Sequence, residues 1–352
     1  MNPSNLALAT VGPQTYYGIY LRNSLASQGT VPAQPPLNLC PDIIQSDSPV
    51  GDPAQEFGSQ QSWSQMYNTD PTVGVANYYY VRGMNGATAS DTGTMSLYWA
   101  PAQVFNFPSA WKGNELSTAN GNGTTAVSAA PGKIAVGGDP FLWTPSAAAA
   151  GSTYFNFVCR SVDRANANPI PIIGSWLDLA NMQANNPGIG FRNAAVVDGT
   201  AATWTHRQML SVPAFLPSAQ VQLMLMAQGF TGTTVGLLCD TFTPSGDVIE
   251  ISPVKVAGDG IVAGTTAQLE PGYQTSLAVT CWTNAATVSP GATLTLVVVM
   301  PIQSADMSFA LANGLARYQH DARDVGIGPT PVATLATITF TVGAEAQNAM
   351  MR

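Results

Sequence analysis

The chain has 352 residues, of which 45% are hydrophobic and only 9% are charged. An average globular protein carries about 25% charged residues, so the surface of this one relies on uncharged polar side chains. The net charge of −8 leaves no basic surface of the kind that nucleic-acid binding requires. The sequence also contains no run of about 18 apolar residues and therefore predicts no membrane span.

The first 37 residues form a polar arm with one apolar cluster, which precedes a proline-rich stretch. An arm of this composition cannot build a core of its own, and its cluster is too hydrophobic to stay in solvent. We therefore expect it to contact another domain or another copy of the chain. The predicted assembly contacts are Tyr16, Tyr17, Ile19, Tyr20 and Leu21.

Strand patterns become clear from residue 75 onward. Residues 77–85 are rich in aromatic and β-branched side chains and end in an Asn-Gly turn signal. Residues 94–100 alternate, which places Met95, Leu97 and Trp99 on one face of a sheet. This alternation predicts a strand with one buried face and makes Trp99 a core residue.

One short helix is predicted between strands near 154–162 and 190–197. Ser175 is its candidate N-cap, Asp178 favours its first turn, and apolar residues then recur at three- and four-residue spacing. Residues 305–318 fit neither period and indicate an irregular connection with a helical turn.

The second half of the chain repeats the strand pattern. Alternation occurs at 221–226, 276–282 and 337–342, and a nearly unbroken apolar run occupies 294–300. Many short strands with frequent turn signals are typical of a β-sandwich. We predict an all-β protein with two immunoglobulin-like β-sandwich domains in tandem. The predicted units are an N-terminal arm at 1–37, a first sandwich at 38–205 and a second sandwich at 206–352.

The first half carries a succession of framework motifs. They are IYLRNSLASQGTVP from Ile19, CPDII from Cys40, NYYYVRGMN from Asn77, LYWAPA from Leu97, FLWTP from Phe141, FVCRSV from Phe157 and GIGFRNAAVVDG from Gly188. This succession resembles the immunoglobulin-like, CARDB-type β-sandwich module of large bacterial surface and secreted proteins, over about residues 15–205. It departs from that pattern at Gly83, Met84 and Phe191. The resemblance implies a scaffold or binding module and supplies no catalytic residue.

The sequence offers little catalytic chemistry. Its two histidines, His206 and His320, lie far apart, and no serine sits in a GxSxG nucleophile motif. We expect a structural polar role for His206 and a solvated loop or a subunit contact for His320. The sequence predicts no enzyme, no catalytic residue and no cofactor.

Metal binding is not predicted either. Asp42, Asp47, Asp52 and Asp70 are loosely clustered but lack the spacing of a calcium loop, so a calcium ion near Asp42 and Asp52 stays an open question. No cysteine pair has the spacing of a zinc site. We expect buried reduced thiols, and the alternative is two disulfides. The residues concerned are Cys40 with Cys159 and Cys239 with Cys281.

Two functions fit this pattern. The first is a structural subunit that packs with copies of itself or with other assembly proteins in a virion, a tube or a surface filament. Since no signal peptide is recognised, it would be cytoplasmic before release. The alternative is an adhesion module whose sandwich loops bind a glycan, a cell surface or a protein. The candidate loop residues are Phe105, Phe107, Trp111 and Trp143.

Overall fold

The structure is a computed structural model that describes residues 13–67, 69–146, 154–319 and 330–343. These residues fold mainly into strands, which confirms the all-β fold class. They also contain five short helices, of which we predicted one as a helix and another, within 305–318, as a helical turn. The helices are α1 (Pro53–Phe57), α2 (Gln60–Trp63), α3 (Pro108–Trp111), α4 (Trp176–Asn185) and α5 (Met307–Ala312).

The predicted helix is α4, and it begins as expected. Ser175 accepts from the backbone of Asp178, whose carboxylate accepts from the Ser175 backbone in return, and this forms a capping box. The other four helices have only four to six residues. Such helices span barely more than one turn, so no apolar period can mark them in the sequence.

The N-terminal half is a sandwich of two antiparallel sheets. One contains β2-β5-β10-β7, with β4 and β9 also on β5, and the other is β12-β11-β6-β8, while β1 and β3 pair alone. The strands are β1 (Gln14–Thr15), β2 (Ile19–Tyr20), β3 (Thr30–Val31), β4 (Ile43–Ser46), β5 (Asn77–Asn85), β6 (Asp91–Pro101), β7 (Ser117–Thr118), β8 (Thr125–Ala129), β9 (Ile134–Val136), β10 (Phe141–Trp143), β11 (Phe155–Asp163) and β12 (Ile189–Arg192).

The C-terminal half also has two sheets. The larger runs β13-β22-β20-β15-β18 with β21 on β22, and the smaller is β14-β19-β16-β17. The strands are β13 (Ala194–Val197), β14 (Thr203–Ser211), β15 (Ala219–Gln228), β16 (Thr234–Cys239), β17 (Glu250–Lys255), β18 (Gly260–Leu269), β19 (Gln274–Trp282), β20 (Thr293–Pro301), β21 (Arg317–Gln319) and β22 (Thr330–Val342).

Strand β6 is buried on both faces, whereas the alternation of its residues predicts only one buried face. Met95 and Leu97 lie in the core between the two N-terminal sheets, and Trp99 is partly buried against it. On the opposite face, Tyr98 packs against Trp111 of α3, with ring centroids 5.2 Å apart. The second face is covered because α3 and the C-terminal half pack against it.

The N-terminal half has a core of its own between its two sheets, and a second, larger core is shared by both halves. The cluster that contains Tyr98, Phe105 and Trp176 continues without a break to Leu210 and Phe340 of the C-terminal sheets. The chain also changes sheets earlier than expected, because β12 and β13 are separated only by Asn193, and β13 pairs in parallel with β22. The strand predicted to close the first sandwich at 190–197 is therefore split between the two halves.

Among the residues that the structure describes, the middle of β22 is contacted on one side by α4 and the arm and not by a strand. On this side β21 pairs with residues 330–332 of β22, and β13 pairs with residues 339–342. Between them, Gln183 of α4 donates to the Leu335 carbonyl at 2.8 Å, and the Leu37 backbone donates to the Thr337 hydroxyl at 3.1 Å. The arm and α4 thus attach the N-terminal half to this sheet.

Candidate functional site

The predicted binding loop follows β6 and folds inward. Phe107 precedes α3 in an extended conformation, and Pro108 occupies the first helical position, where its missing N–H costs nothing. Phe105, Phe107 and Trp111 are at most 4% exposed. The expectation that these rings meet a ligand directly is therefore wrong for Phe105 and Trp111, because the shared core takes up their surfaces.

These aromatic rings form a rigid floor together with α4. Phe105 and Phe107 lie 5.8 Å apart, and each packs against Trp176, at 5.1 Å and 5.8 Å respectively. Trp176 is fixed in turn, since its indole N–H donates to the Pro217 carbonyl at 2.9 Å. Aromatic pairs at these separations stabilise one another beyond their buried area.

Above this floor lies an open groove of about 380 Å³. Three segments form it: the start of α3, the stretch before α4, and the loop between β14 and β15. Its lining residues are Phe107, Pro108, Ser109, Pro171, Ile172, Ile173 and Phe215. We refer to this set of seven residues as the apolar groove. Phe107 is the one residue of the predicted binding loop that reaches it.

The rim of the apolar groove exposes two large hydrophobic side chains. Ile172 is 95% exposed and Phe215 is 62% exposed, while Phe107 is 4% exposed at the base. No lining residue is ionisable, and the sole polar side chain is the Ser109 hydroxyl. This lining contains no general acid or base, so its chemistry is the burial of apolar groups.

Sequence reasoning missed Ile172 and Phe215. A signal was present at residues 168–174, because an apolar run interrupted by Pro169 and Pro171 precedes the cap of α4 without any helical or strand period. An apolar stretch that belongs to no element either enters the core or lies open. Here Ile173 is buried and Ile172 is open.

The fourth loop candidate, Trp143, lies elsewhere. It belongs to β10 and is 9% exposed. Its ring stacks near Trp99 at 5.1 Å and meets Phe155 edge-on at 4.6 Å. Trp143 therefore packs in the N-terminal core, away from the other three loop candidates, and its contact with a ligand stays a prediction.

The apolar cluster of the arm is used within the chain. Ile19, Tyr20 and Leu21 are at most 4% exposed, because β2 pairs with β5 and completes the N-terminal sheet. The Tyr16 hydroxyl donates to Asn168 at 3.1 Å, and burial raises its pKa to about 12. The arm therefore contacts another part of the same chain, which is one of the two expected outcomes, and Ile19, Tyr20 and Leu21 are not available for contacts with a second copy. Only Tyr17, at 54% exposure, presents a large surface.

A buried ion cluster fixes the arm to the first sandwich. The Asp42 carboxylate accepts from the Arg22 backbone at 2.8 Å, from the Arg22 Nε at 3.1 Å and from the Arg82 Nε at 3.1 Å. The Arg22 guanidinium also stacks on Trp63, 3.4 Å from the ring centroid. Burial lowers the pKa of Arg82, and the charge of Asp42 opposes this effect. Since two arginines surround Asp42, it is not available as a calcium ligand.

Asp70 has a different environment from Asp42. Its carboxylate accepts from the Val196 backbone at 3.1 Å, and burial raises its pKa to about 6, against the opposing effects of that hydrogen bond and of Arg192. The loosely clustered aspartates of the sequence are thus used separately. Within the described residues, no three His, Cys, Asp or Glu side chains are placed to hold a metal ion.

His206 has the predicted structural role. It is 3% exposed and lies between Tyr154, at 3.8 Å between ring centroids, and Phe340, at 5.1 Å. Burial lowers the pKa of its imidazole to about 4, so the ring is neutral near pH 7. His320 lies outside the described residues, so its predicted loop or subunit contact remains a prediction.

The cysteines are free and buried. Cys281 pairs with Val235 and Cys239 with Leu277, so the two thiols are four positions apart along neighbouring strands. That offset is about 13 Å, whereas a disulfide needs Cα atoms within about 7 Å, and the alternative Cys239–Cys281 bridge is therefore excluded. Burial raises the pKa of Cys40 to about 12 and of Cys281 to about 11, which makes both thiols unreactive.

No helix among the described residues could cross a bilayer, and the longest of them, α4, has ten residues.

Comparison with known proteins gives no family. No protein-family model matches the chain, and no curated protein matches it. The resemblance to the CARDB-type module therefore stays a prediction.

Solved structures give only weak matches. The chain aligns at 8% identity and TM-score 0.18 with a bacterial adhesin from Mobiluncus mulieris, covering 77% of this chain and 91% of that one. It aligns at 7% identity and TM-score 0.18 with the collagen adhesin of S. aureus, covering 77% and 92%. A structure of manganese lipoxygenase of Gaeumannomyces graminis with partial zonadhesin of Komagataella pastoris gives 12% identity and TM-score 0.20, covering 86% and 97%. Matches at this level carry no argument about function.

Proposed function

We propose that the chain is a non-enzymatic binding module of a surface or extracellular assembly, and that it holds an apolar segment of another protein in the apolar groove. The observation that carries this proposal is the exposure of Ile172 at the rim of the apolar groove. A side chain that is 95% exposed yet belongs to a lined groove has a large surface to lose on binding. Exposed apolar patches of this kind mark interaction sites in folded proteins.

The chemistry of the groove favours a protein segment over a glycan. A sugar presents many hydroxyl groups, and its recognition needs several precisely placed hydrogen-bonding side chains. The apolar groove offers only Ser109 among its side chains. Aliphatic or aromatic side chains of a partner need no such groups, because their driving force is the removal of apolar surface from water.

The energetics agree with a moderate affinity. Full burial of an isoleucine or phenylalanine side chain contributes about 1.5–3 kcal/mol, and Ile172 and Phe215 are the two large exposed hydrophobic side chains at the rim. The packed floor of Phe107 and Trp176 needs no ordering on binding. A preformed floor limits the entropic cost of association.

The low charge of the chain supports the same proposal at the level of its surface. Interfaces tend to exclude Lys, Glu and Asp, and only 9% of this chain is charged. A structural subunit of a virion, tube or filament is the second candidate function. It is favoured by the edge strand β18, which carries no charged residue and no proline.

A peptide-display selection tests the proposal. A random dodecapeptide library is panned on the wild-type chain and counter-selected on Ile172→Asp, and each enriched peptide is then titrated. We expect apolar, aromatic peptides whose affinity falls at least tenfold in Ile172→Asp. Phe242→Asp is the matched control, because Phe242 is 67% exposed and does not line the groove.

Two results would contradict the proposal. One is a selection that enriches no peptide dependent on Ile172, and the other is equal binding by wild type and Ile172→Asp. A parallel glycan array distinguishes the other ligand class. A glycan whose binding is lost in Ile172→Asp would keep the groove as the site but overturn the assignment of a protein partner.

A further inference from the structure

Strand β18 forms one edge of the larger C-terminal sheet. It has ten residues, Gly260–Leu269, and among the described strands it pairs only with β15. Alternate backbone N–H and C=O groups of such a strand point away from its partner and remain available for pairing. Ile261 is 57% exposed, and Gly264 and Thr266 are exposed as well.

The sequence of β18 lacks the features that normally protect an edge strand. It contains no charged residue and no proline over its ten positions. Its neighbour β17, at the edge of the smaller sheet, has both: Pro253 interrupts its hydrogen bonding, and Glu250 and Lys255 stand at its two ends. Charges and proline on edge strands prevent pairing with other chains. The contrast makes β18 the open edge on this side of the sandwich.

The absence of charge also bears on the partner. The net charge of −8 opposes the association of two copies, and β18 adds no charge to that repulsion. Two antiparallel copies related by a two-fold axis place the same uncharged residues opposite each other and leave neither edge open. A bulge between Leu225 and Met226 disturbs the register at the start of β18, so the regular stretch begins at Ala263.

We propose that β18 pairs with β18 of a second copy of this chain in antiparallel orientation, with Thr266 of one copy opposite Thr266 of the other, and joins the two larger C-terminal sheets into one. In this register Glu270 of one copy lies near Val262 of the other, and the acidic residues at the strand ends, Asp259 and Glu270, do not face each other. The pairing uses none of the groove residues, so it stands or falls separately from the proposed function.

Sedimentation velocity over a concentration series of the full chain tests the pairing. We expect a monomer–dimer equilibrium that Thr266→Lys weakens at least tenfold, because a lysine on the edge blocks strand addition. Ser252→Lys is the matched control, since it places the same charge on the proline-interrupted edge of β17. The melting temperature of each variant is measured to show that it folds.

Oxidative cross-linking supplies a second readout. The native thiols are buried, so an added surface cysteine dominates the reaction. We expect Thr266→Cys to give a covalent dimer and Ser252→Cys to give none. A wild-type chain that stays monomeric at every concentration would overturn the proposal. So would a dimer that Thr266→Lys leaves unchanged, or a dimer cross-linked equally at both positions, because that dimer forms through another surface.

Discussion

Asp42 belongs to a buried cluster of charged residues in a chain that has few charged residues. Only 9% of the residues are charged, yet three charged residues, Arg22, Asp42 and Arg82, are among the most buried. Their placement joins the arm, the segment before α1 and strand β5. The sequence could not predict this, because the three residues lie far apart along the chain and share no motif.

Substitution of Asp42 tests the weight of this cluster. In Asp42→Asn, two buried guanidinium groups lose their counter-charge, and we expect the free energy of unfolding to fall by about 3–5 kcal/mol. The control is Asp240→Asn, which breaks the exposed pair between Arg207 and Asp240 and costs under about 1 kcal/mol. Urea denaturation of both variants measures the difference. Equal losses would show that burial does not govern the cost.

The pH dependence of stability separates two buried groups. The folded pKa of His206 is lowered to about 4, so the unfolded chain binds more protons below pH 6.5 and acid destabilises the fold. The pKa of Asp70 is raised to about 6, so the folded chain binds more protons between pH 4 and 6 and acid stabilises it. The two residues therefore have opposite effects.

Two substitutions separate the effects of His206 and Asp70 on the pH dependence of stability. Between pH 7 and pH 4, we expect His206→Phe to gain about 3 kcal/mol relative to wild type, because it lacks the acid-induced loss. We expect Asp70→Asn to lose stability relative to wild type over the same range. Chemical denaturation at each pH gives the values, and parallel curves for all three proteins would refute the assignment.

At the level of elements, the arm is part of the N-terminal sandwich. Leu21→Ala removes a side chain with no exposure and should lower the free energy of unfolding by about 2–5 kcal/mol. Tyr17→Ala, four residues earlier, removes a side chain that is 54% exposed and should change it by less than about 0.5 kcal/mol. Thermal melts of the two variants compare them, and similar shifts would mean that the arm around Leu21 is not packed against the N-terminal sandwich.

Elements with a period were predictable, and most elements without one were not. The exception is α5, because a helical turn was expected within 305–318. The alternation at 94–100 and 337–342 gave β6 and β22, and the cap at Ser175 gave α4. The short helices α1 and α2 were not predicted, because Asp52 and Ser59 cap single turns that carry no apolar repeat. Strand alternation did not show that β6 is covered on both faces, because Ser96 and Tyr98 occupy the positions expected to face solvent, whereas both are buried.

At the level of the whole molecule, the shared core joins the two predicted domains. We expect one cooperative thermal transition in scanning calorimetry, with equal calorimetric and van't Hoff enthalpies, because the core that contains Phe105 extends unbroken to Phe340. Two resolved transitions would show that the halves unfold separately and that their common core contributes little.

The candidate site was predictable only in part. The loop at 105–111 indicated the right region, but its aromatic side chains form the floor and not the contact surface. The exposed residues come from two other segments, around Ile172 and Phe215. Tertiary packing brings these segments together. The local sequence of each segment does not show which other segments it contacts.

Hydrogen exchange on the full chain, with and without a peptide from the display selection, tests the central claim that the chain acts through its apolar groove. We expect added protection confined to residues 106–110, 170–174 and 213–216, the three segments that line the groove. Protection should vanish in Ile172→Asp and persist in Phe242→Asp. If exchange in these three segments is unchanged and the added protection appears elsewhere in the chain, the result would contradict the account.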